Sequence, residues 1–234
     1  MNIVLTERLR TAAELVRQNR KTVDVGTDHG YLPAFLVING ITEDATAADI
    51  GKGPLDNAKK TLEKYSLGDK IATVLSDGLE KIDRDTEEII ICGMGGTLIA
   101  EILGKAEWIK NEKIHLILQP MTHSQDVRKF LCENGFYIDT EKFCTDSGRD
   151  YVVISAYYNG EDNCRDDFYY YFGDTVTENT PCERGYLIRQ TGYIKSRFRG
   201  LVMSESPDAR VFAGMLDRVM QKWTDIWSEI YENS

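Results

Sequence analysis

The sequence predicts an α/β fold. It is a doubly wound, Rossmann-like sheet, mostly parallel, closed by an antiparallel hairpin and followed by a C-terminal helical hairpin of coiled-coil-like character. Three observations predict it. Short apolar runs alternate with helical periods as far as residue 158. The run from Thr22 to Leu32, TVDVGTDHGYL, reads as strand, glycine-bearing turn and helix start. After the polar stretch GEDNCRDD at 160–167 the later segments are helical. The expected domains are therefore 1–160 and 161–234.

Residues 5–18 repeat apolar positions at a helical period, with Arg8, Arg10 and Arg17 off the stripe. These arginines form either a solvated face or a basic flank to a pocket mouth. Strand 22–26 leads through Gly26 and Gly30 to a helix over 31–39, with Pro33 in its first turn. Strand 45–50 ends near Asp49 and Ile50, and a helix over 54–65 follows Gly53-Pro54. Strand 71–75 runs into Ser76-Asp77-Gly78, and strand 88–92 into Gly93-Met94-Gly95-Gly96 with a helix over 97–104. Strand 114–119 ends at Pro120-Met121, a helix covers 124–134, and runs 136–144 and 150–158 form a hairpin. The pattern is five βα units and a closing hairpin. FYYYF at 168–172 reads as a short strand or a lid over the first domain. Helices over 183–203 and 208–231 then pair, with Ile230 the last residue of the apolar face.

The 234 residues are 42% hydrophobic and 28% charged, as in globular proteins. No apolar run approaches the roughly 20 residues that span a bilayer. MNIVLTERLR lacks the pattern of a secretory signal, so a cytoplasmic protein with no membrane contact is expected. Cys92, Cys132, Cys144, Cys164 and Cys182 are odd in number and widely spaced, which suits reduced thiols. His29, His115 and His123 have no metal-ligand spacing, and no metal site is expected. A net charge of −10 argues against non-specific nucleic-acid binding. Basic charge nevertheless gathers on the first C-terminal helix, at Arg184, Arg189, Lys195, Arg197 and Arg199.

The predicted strand ends bring Asp24, Asp28, His29, Asp49, Asp77, Gly93, Met94, Gln119 and Pro120 to one sheet edge. Acidic groups so placed repel one another unless they meet donors or a cation. Asp28, between Gly26 and Gly30, is ill suited to a pyrophosphate, and there is no P-loop. A nucleoside carrying a ribose diol, an α-ammonium and a sulfonium supplies the missing partners. Asp49, 25 residues beyond Asp24, suits the diol, Asp77 an adenine amine, and Gly78 leaves room for the ring. The residues alone leave several classes open: a methyltransferase acting on an RNA, a protein or a small molecule, a dehydrogenase, another α/β enzyme, and a non-catalytic module that uses the helical hairpin as a partner surface. Against the dehydrogenase stand Asp28 and the missing glycines.

The segments DVGTDHGYLP (24–33), Gly53-Pro54, SDGL (76–79), GMGGTLI (93–99) and LILQP (116–120) together resemble the bacterial tRNA (adenine(22)-N(1))-methyltransferases of the TrmK type. The resemblance covers the first domain, and the helical second domain fits in kind. It implies a class I methyltransferase sheet with S-adenosylmethionine held by Asp24, Gly26, Asp28, His29, Gly30, Asp49, Ile50, Asp77, Gly78, Gly93 and Met94. It implies that Gln119 and Pro120 border the target adenine, with Met121 standing where the family often has Asn. The reaction implied is an in-line transfer to adenine N1, which already has its lone pair. Alignment and water exclusion are then the main tasks, and Asp28 and Gln119 are the candidate acceptors for the exocyclic amine. Transfer RNA is the implied partner, contacted through Arg8, Arg10, Met121, Arg184, Arg189, Lys195, Arg197 and Arg199, by a monomer or weak dimer.

Overall fold

A computed structural model describes residues 3–174 and 179–228, so Ile230 lies outside the described residues. The chain divides into two compact units, Met1–Cys164 and Arg165–Ser234. In the first unit the elements are α1 (Glu7–Ala13), β1 (Thr22–Val25), α2 (Tyr31–Ile38), β2 (Ala45–Asp49), α3 (Lys52–Lys64), β3 (Ile71–Leu75), β4 (Glu88–Gly95), α4 (Gly96–Gly104), β5 (His115–Thr122), α5 (Ser124–Glu133), β6 (Phe136–Asp146) and β7 (Arg149–Tyr158). The strands form one sheet in the order β3-β2-β1-β4-β5-β7-β6. β3 to β5 are parallel, and β7 runs antiparallel to both β5 and β6.

The central strands are apolar on both faces because both are covered, as βα crossovers require. On one face Ala47, Ile90, Ile117 and Val153 share a core with Ala12, Leu36, Ala58 and Leu62 of the first three helices. The alternate residues Ile89, Ile91, Leu116 and Leu118, also fully buried, point to the layer of α4 and α5. Arg128 of α5, fully buried, makes a two-pronged pair with Glu141 of β6 at 2.6 and 3.2 Å. The hairpin turn has positive φ at Ser147 (51°) and Gly148 (74°), the twist that joins two adjacent antiparallel strands through two residues.

At the amino ends of the central strands the polar groups are closed among themselves. Arg17 pairs with Glu88, whose other oxygen lies 2.7 Å from His115 Nδ1. His115 Nε2 lies 2.7 Å from Ser155 Oγ, and Ser155 donates to Asp139 at 2.7 Å. Glu88 and Ser155 are sealed from solvent, so this chain binds β4, β5, β7 and β6 where the sheet begins.

Three expectations are corrected here. The first helix ends at Ala13, because Leu15 and Val16 donate to carbonyls three residues back and the chain turns; Val16 still reaches the core. No helix follows β3: Lys81 N–H donates to Ser76 Oγ and Ser76 donates to Gly78 O, which holds the connection in turns. Pro120 and Met121, expected after the strand that ends at Gln119, lie inside β5.

In the second unit FYYYF is not a strand but the body of a helix, α6 (Asp167–Phe172). Asp166 caps it by accepting from Tyr169 N–H, and its aromatic side chains are buried. The Phe172 ring stacks on Trp223 at 4.5 Å, so these residues form the core of the helical unit. α7 (Pro181–Val202) opens with a capping box, Thr180 accepting from Glu183 N–H, and α8 (Pro207–Trp227) returns along it. Leu187, Ile194, Leu216, Val219 and Trp223 are buried on α7 and α8. Among the described residues no helix is long and apolar enough to cross a membrane.

Candidate active site

β1 and β4 are neighbours from which the chain crosses in opposite directions, and their carboxyl ends flank a crevice. It holds an open cavity of about 380 Å³ lined by Arg8, Asp24, Gly26, Asp28, His29 and Gly93, among others. Of the predicted site residues, the fold thus brings together Asp24, Gly26, Asp28, His29, Gly93 and Arg8.

Gly26 has φ of +81°, which favours glycine; a Cβ there would also fall 2.2 Å from Met94 Cε, the movable end of a flexible side chain, so the backbone angle is the stricter demand. Asp24 is buried on β1. Burial pushes its carboxyl up to about 6, the Thr27 hydroxyl beside it offsets part of that, and the Asp49 charge adds to it. The Thr27 hydroxyl stops short of hydrogen-bond geometry; its Oγ1 is buried with no hydrogen-bond partner among the described residues. Asp49 accepts from Gly51 N–H at 2.7 Å through one oxygen, which aims its carboxylate at the end of β2. Ile50 next to it is 70% exposed. Asp28 is exposed at a positive φ of 39°, 3.4 Å from His29 Nε2, and the His29 ring stacks on Tyr31. Gly30 is the N-cap of α2.

Asp77 and Gly78 stand apart from this cavity. Asp77 lines a separate hollow of about 170 Å³ with Arg84, Lys105 and Trp108, its carboxylate 4.0 Å from Lys105. Gln119 is fully buried and engaged at both ends. Its Oε1 accepts from Arg8 Nη1 at 2.6 Å and from Gly93 N–H at 3.1 Å, and its Nε2 donates to Pro120 O at 3.0 Å. Met121 is 37% exposed, 3.8 Å from that same nitrogen. Arg8 is a wall rather than a free cation: it pairs with Asp146 at 3.0 Å and lies over the Tyr151 ring. Arg10 is exposed, 3.8 Å from Glu7. On α7, Arg184 donates to Asn179, Arg189 and Arg197 lie over the Tyr186 and Phe212 rings, and Lys195 and Arg199 are exposed. Sequence reasoning missed Thr27, Cys92 and Asp146 at this site. Cys92, directly before Gly93 in the apolar run EIIIC, carried a readable signal; Asp146, 138 residues from Arg8, did not. Burial pushes the Cys92 thiol well up, which makes it an inert wall.

The residues fit a nucleoside cofactor with a cationic end. The cavity between the β1 and β4 turns is open, the Thr27 oxygen lacks a hydrogen-bond partner among the described residues, and a buried carboxylate gains from a nearby cation. Together they define a Rossmann-like α/β fold with a nucleoside-type crevice at its switch point. A family model described as a methyltransferase domain matches residues 5–154, and the chain belongs to that family. It is 37% identical over 153 residues to a Bacillus subtilis protein named tRNA (adenine(22)-N(1))-methyltransferase. That match covers 65% of this chain and 64% of the relative, so it spans less than two thirds of the relative's length. The crystal structure of the B. subtilis m1A22 tRNA methyltransferase TrmK superposes with a TM-score of 0.80 at 27% identity, covering 93% of this chain and 99% of that one. M. capricolum TrmK, solved with S-adenosyl-homocysteine, superposes at 0.75 and 28% identity, covering 95% and 98%.

Proposed function

We propose that this protein is a tRNA (adenine(22)-N(1))-methyltransferase of the cytoplasm, acting as a monomer or weak dimer. The observation that carries the reading is the extent of the match to B. subtilis TrmK: 99% of that chain is covered, so the likeness includes the helical unit as well as the sheet. S-adenosylmethionine, when bound, supplies the methyl group. Asp24 and Thr27 would meet its amino-acid end and Asp49 its ribose diol, and its adenine would extend out of the crevice cavity to reach Asp77 and Gly78. Gly26, His29, Gly30, Ile50, Gly93 and Met94 would shape the crevice around it.

Adenine N1 needs no base before attack, so the chain's work is to hold the adenine edge in line and to exclude water. Asp28 accepts from the exocyclic amine, which grows more acidic as the base becomes cationic. Gln119 does not serve as a second free acceptor, because Arg8 and the Gly93 amide occupy its oxygen. It is a positioning residue that fixes the β4 turn against β5. Pro120 and Met121 border the base, and target N1 is normally paired, so the adenine is displaced into the pocket. The exposed cations of α7 hold RNA backbone.

The test is methyl transfer to unmodified bacterial tRNA read by reverse-transcription stops, since an N1 methyl blocks the Watson–Crick edge. A stop at adenine 22 is expected; methyl incorporation with the stop elsewhere, or none at all, overturns the assignment. Arg8→Lys is expected to lower kcat at unchanged tRNA affinity, because it loosens Gln119 without removing a phosphate contact; a selective loss of tRNA affinity would return Arg8 to the substrate surface.

A further inference from the structure

The β6–β7 hairpin parts from the rest of the sheet beside the crevice. β7 pairs with β5 as far as Leu118 opposite Ile154, and from Val153 to Arg149 it pairs with β6. Gln119 is therefore the first residue of β5 past that ladder. Arg8 of α1 spans the gap. Its Nη1 donates to Gln119 Oε1 at 2.6 Å, its Nε donates to Asp146 Oδ2 at 3.0 Å, and its guanidinium lies 5.5 Å from the centre of the Tyr151 ring. Asp146 is the last residue of β6, and its side chain is 12% exposed. A second tie joins the same two elements without touching Gln119: Lys142 of β6 pairs with Glu14, at the end of α1, at 3.3 Å.

We propose that Asp146 is a positioning residue for methyl transfer, holding Gln119 through Arg8 and thereby setting the β4 turn at the reacting end of the crevice. This rests on the methyltransferase reading above. A guanidinium is a planar fork of N–H donors, and a carboxylate on its Nε fixes the plane of that fork. With the plane fixed, Nη1 meets Gln119 Oε1. The amide then keeps its oxygen toward Arg8 and the Gly93 N–H, and its nitrogen toward Pro120 O. The reversed amide would set its NH2 group against two donors. Without Asp146, Arg8 can swing toward the crevice carboxylates Asp24 and Asp28, and Gln119 loses the charged one of its two donors. Gly93 lines the crevice and Pro120 borders the base, so loosening Gln119 misaligns methyl donor and acceptor.

The experiment measures kcat, tRNA KM, S-adenosylmethionine Kd and thermal midpoint on the full-length chain. It compares the parent with Asp146→Ala, Asp146→Asn, Asp146→Glu, Gln119→Ala, the Asp146→Ala/Gln119→Ala pair and Lys142→Ala. Asp146→Ala is expected to lower kcat about tenfold, with KM and Kd held within about twofold. Asp146→Glu should recover most of that loss, and Asp146→Asn, which keeps the shape without the charge, should fall between the two. The double variant should be no slower than Gln119→Ala, because the two residues act as one unit. Lys142→Ala should keep the parental kcat. A folded Asp146→Ala with parental kcat overturns the proposal; if that variant does not fold, parental kcat in Asp146→Asn does so. Losses that multiply in the double variant also overturn it, as does an equal loss in Lys142→Ala, which would make the effect one of anchoring the hairpin. A parent that transfers no methyl to tRNA overturns the reading beneath the proposal and the proposal with it. A parent that methylates tRNA while the Asp146 variants keep its rate overturns the proposal alone.

Discussion

The same central strands present opposite chemistry at their two ends. At the amino ends, Arg17, Glu88, His115 and Ser155 satisfy one another in buried or half-buried positions, and Ser155 donates on to the exposed Asp139. At the carboxyl ends, Asp24 is buried with its carboxyl up at about 6, Thr27 Oγ1 has no hydrogen-bond partner among the described residues, and Asp28 is solvent-facing. One end spends its polar groups on the fold. The other withholds them, and polar groups withheld in a crevice are what a ligand can use.

The contrast can be broken most strongly at the closed end. Glu88→Ala leaves His115 and Arg17 facing a sealed gap, and a stability loss of about 3–5 kcal/mol is expected in urea unfolding. Cofactor affinity measured on the folded fraction should not change; a parallel loss of affinity would mean that the two ends are coupled.

Asp24 tests the open end by pH. Its folded value lies above that of an unfolded aspartate, so the folded state holds a proton longer as pH rises from about 4 to 6. Stability falls across that window, by about 3 kcal/mol in total. Asp24→Asn should flatten the pH profile of unfolding between these values. An ammonium-bearing ligand prefers the ionised carboxylate, so its affinity should rise through about pH 6 in the parent and not in the variant. An affinity indifferent to pH would remove Asp24 from the cationic end.

Gly26→Val is expected to weaken S-adenosylmethionine binding about 30-fold, by equilibrium dialysis, with a smaller change in midpoint. The added side chain strains a turn at φ of +81° and displaces Met94, and both lie at the crevice. A variant that binds as the parent does would move the cofactor elsewhere. The smallest effect belongs to Arg10→Ala: an exposed pair 3.8 Å apart carries about 0–1 kcal/mol, and midpoint and tRNA affinity should both hold.

What was legible in the sequence follows the same division. Periodicity gave the strands, and Gly26 and Gly93 marked the two turns that meet, because such signals are local. Gln119 was visible as a polar residue after an apolar run, but its engagement was not, since Arg8 lies 111 residues away. Glu88 and His115 each begin an apolar run; nothing near them in sequence announced that they touch. FYYYF misled because five successive aromatics carry no period, whereas the Asp166 cap that makes them a helix is a single residue.

The strand order has a consequence for synthesis. β7 lies between β5 and β6, so β6 leaves the ribosome before the strand that will join it to the sheet exists. Until residue 158 has emerged, the outer edge of β5, with its buried run Leu116–Leu118, has no partner in its own chain. A nascent chain stalled before that point carries an open apolar edge, a template for pairing with another copy. Release of an aggregation-free product therefore depends on the last strand made rather than on the crevice that gives the protein its use.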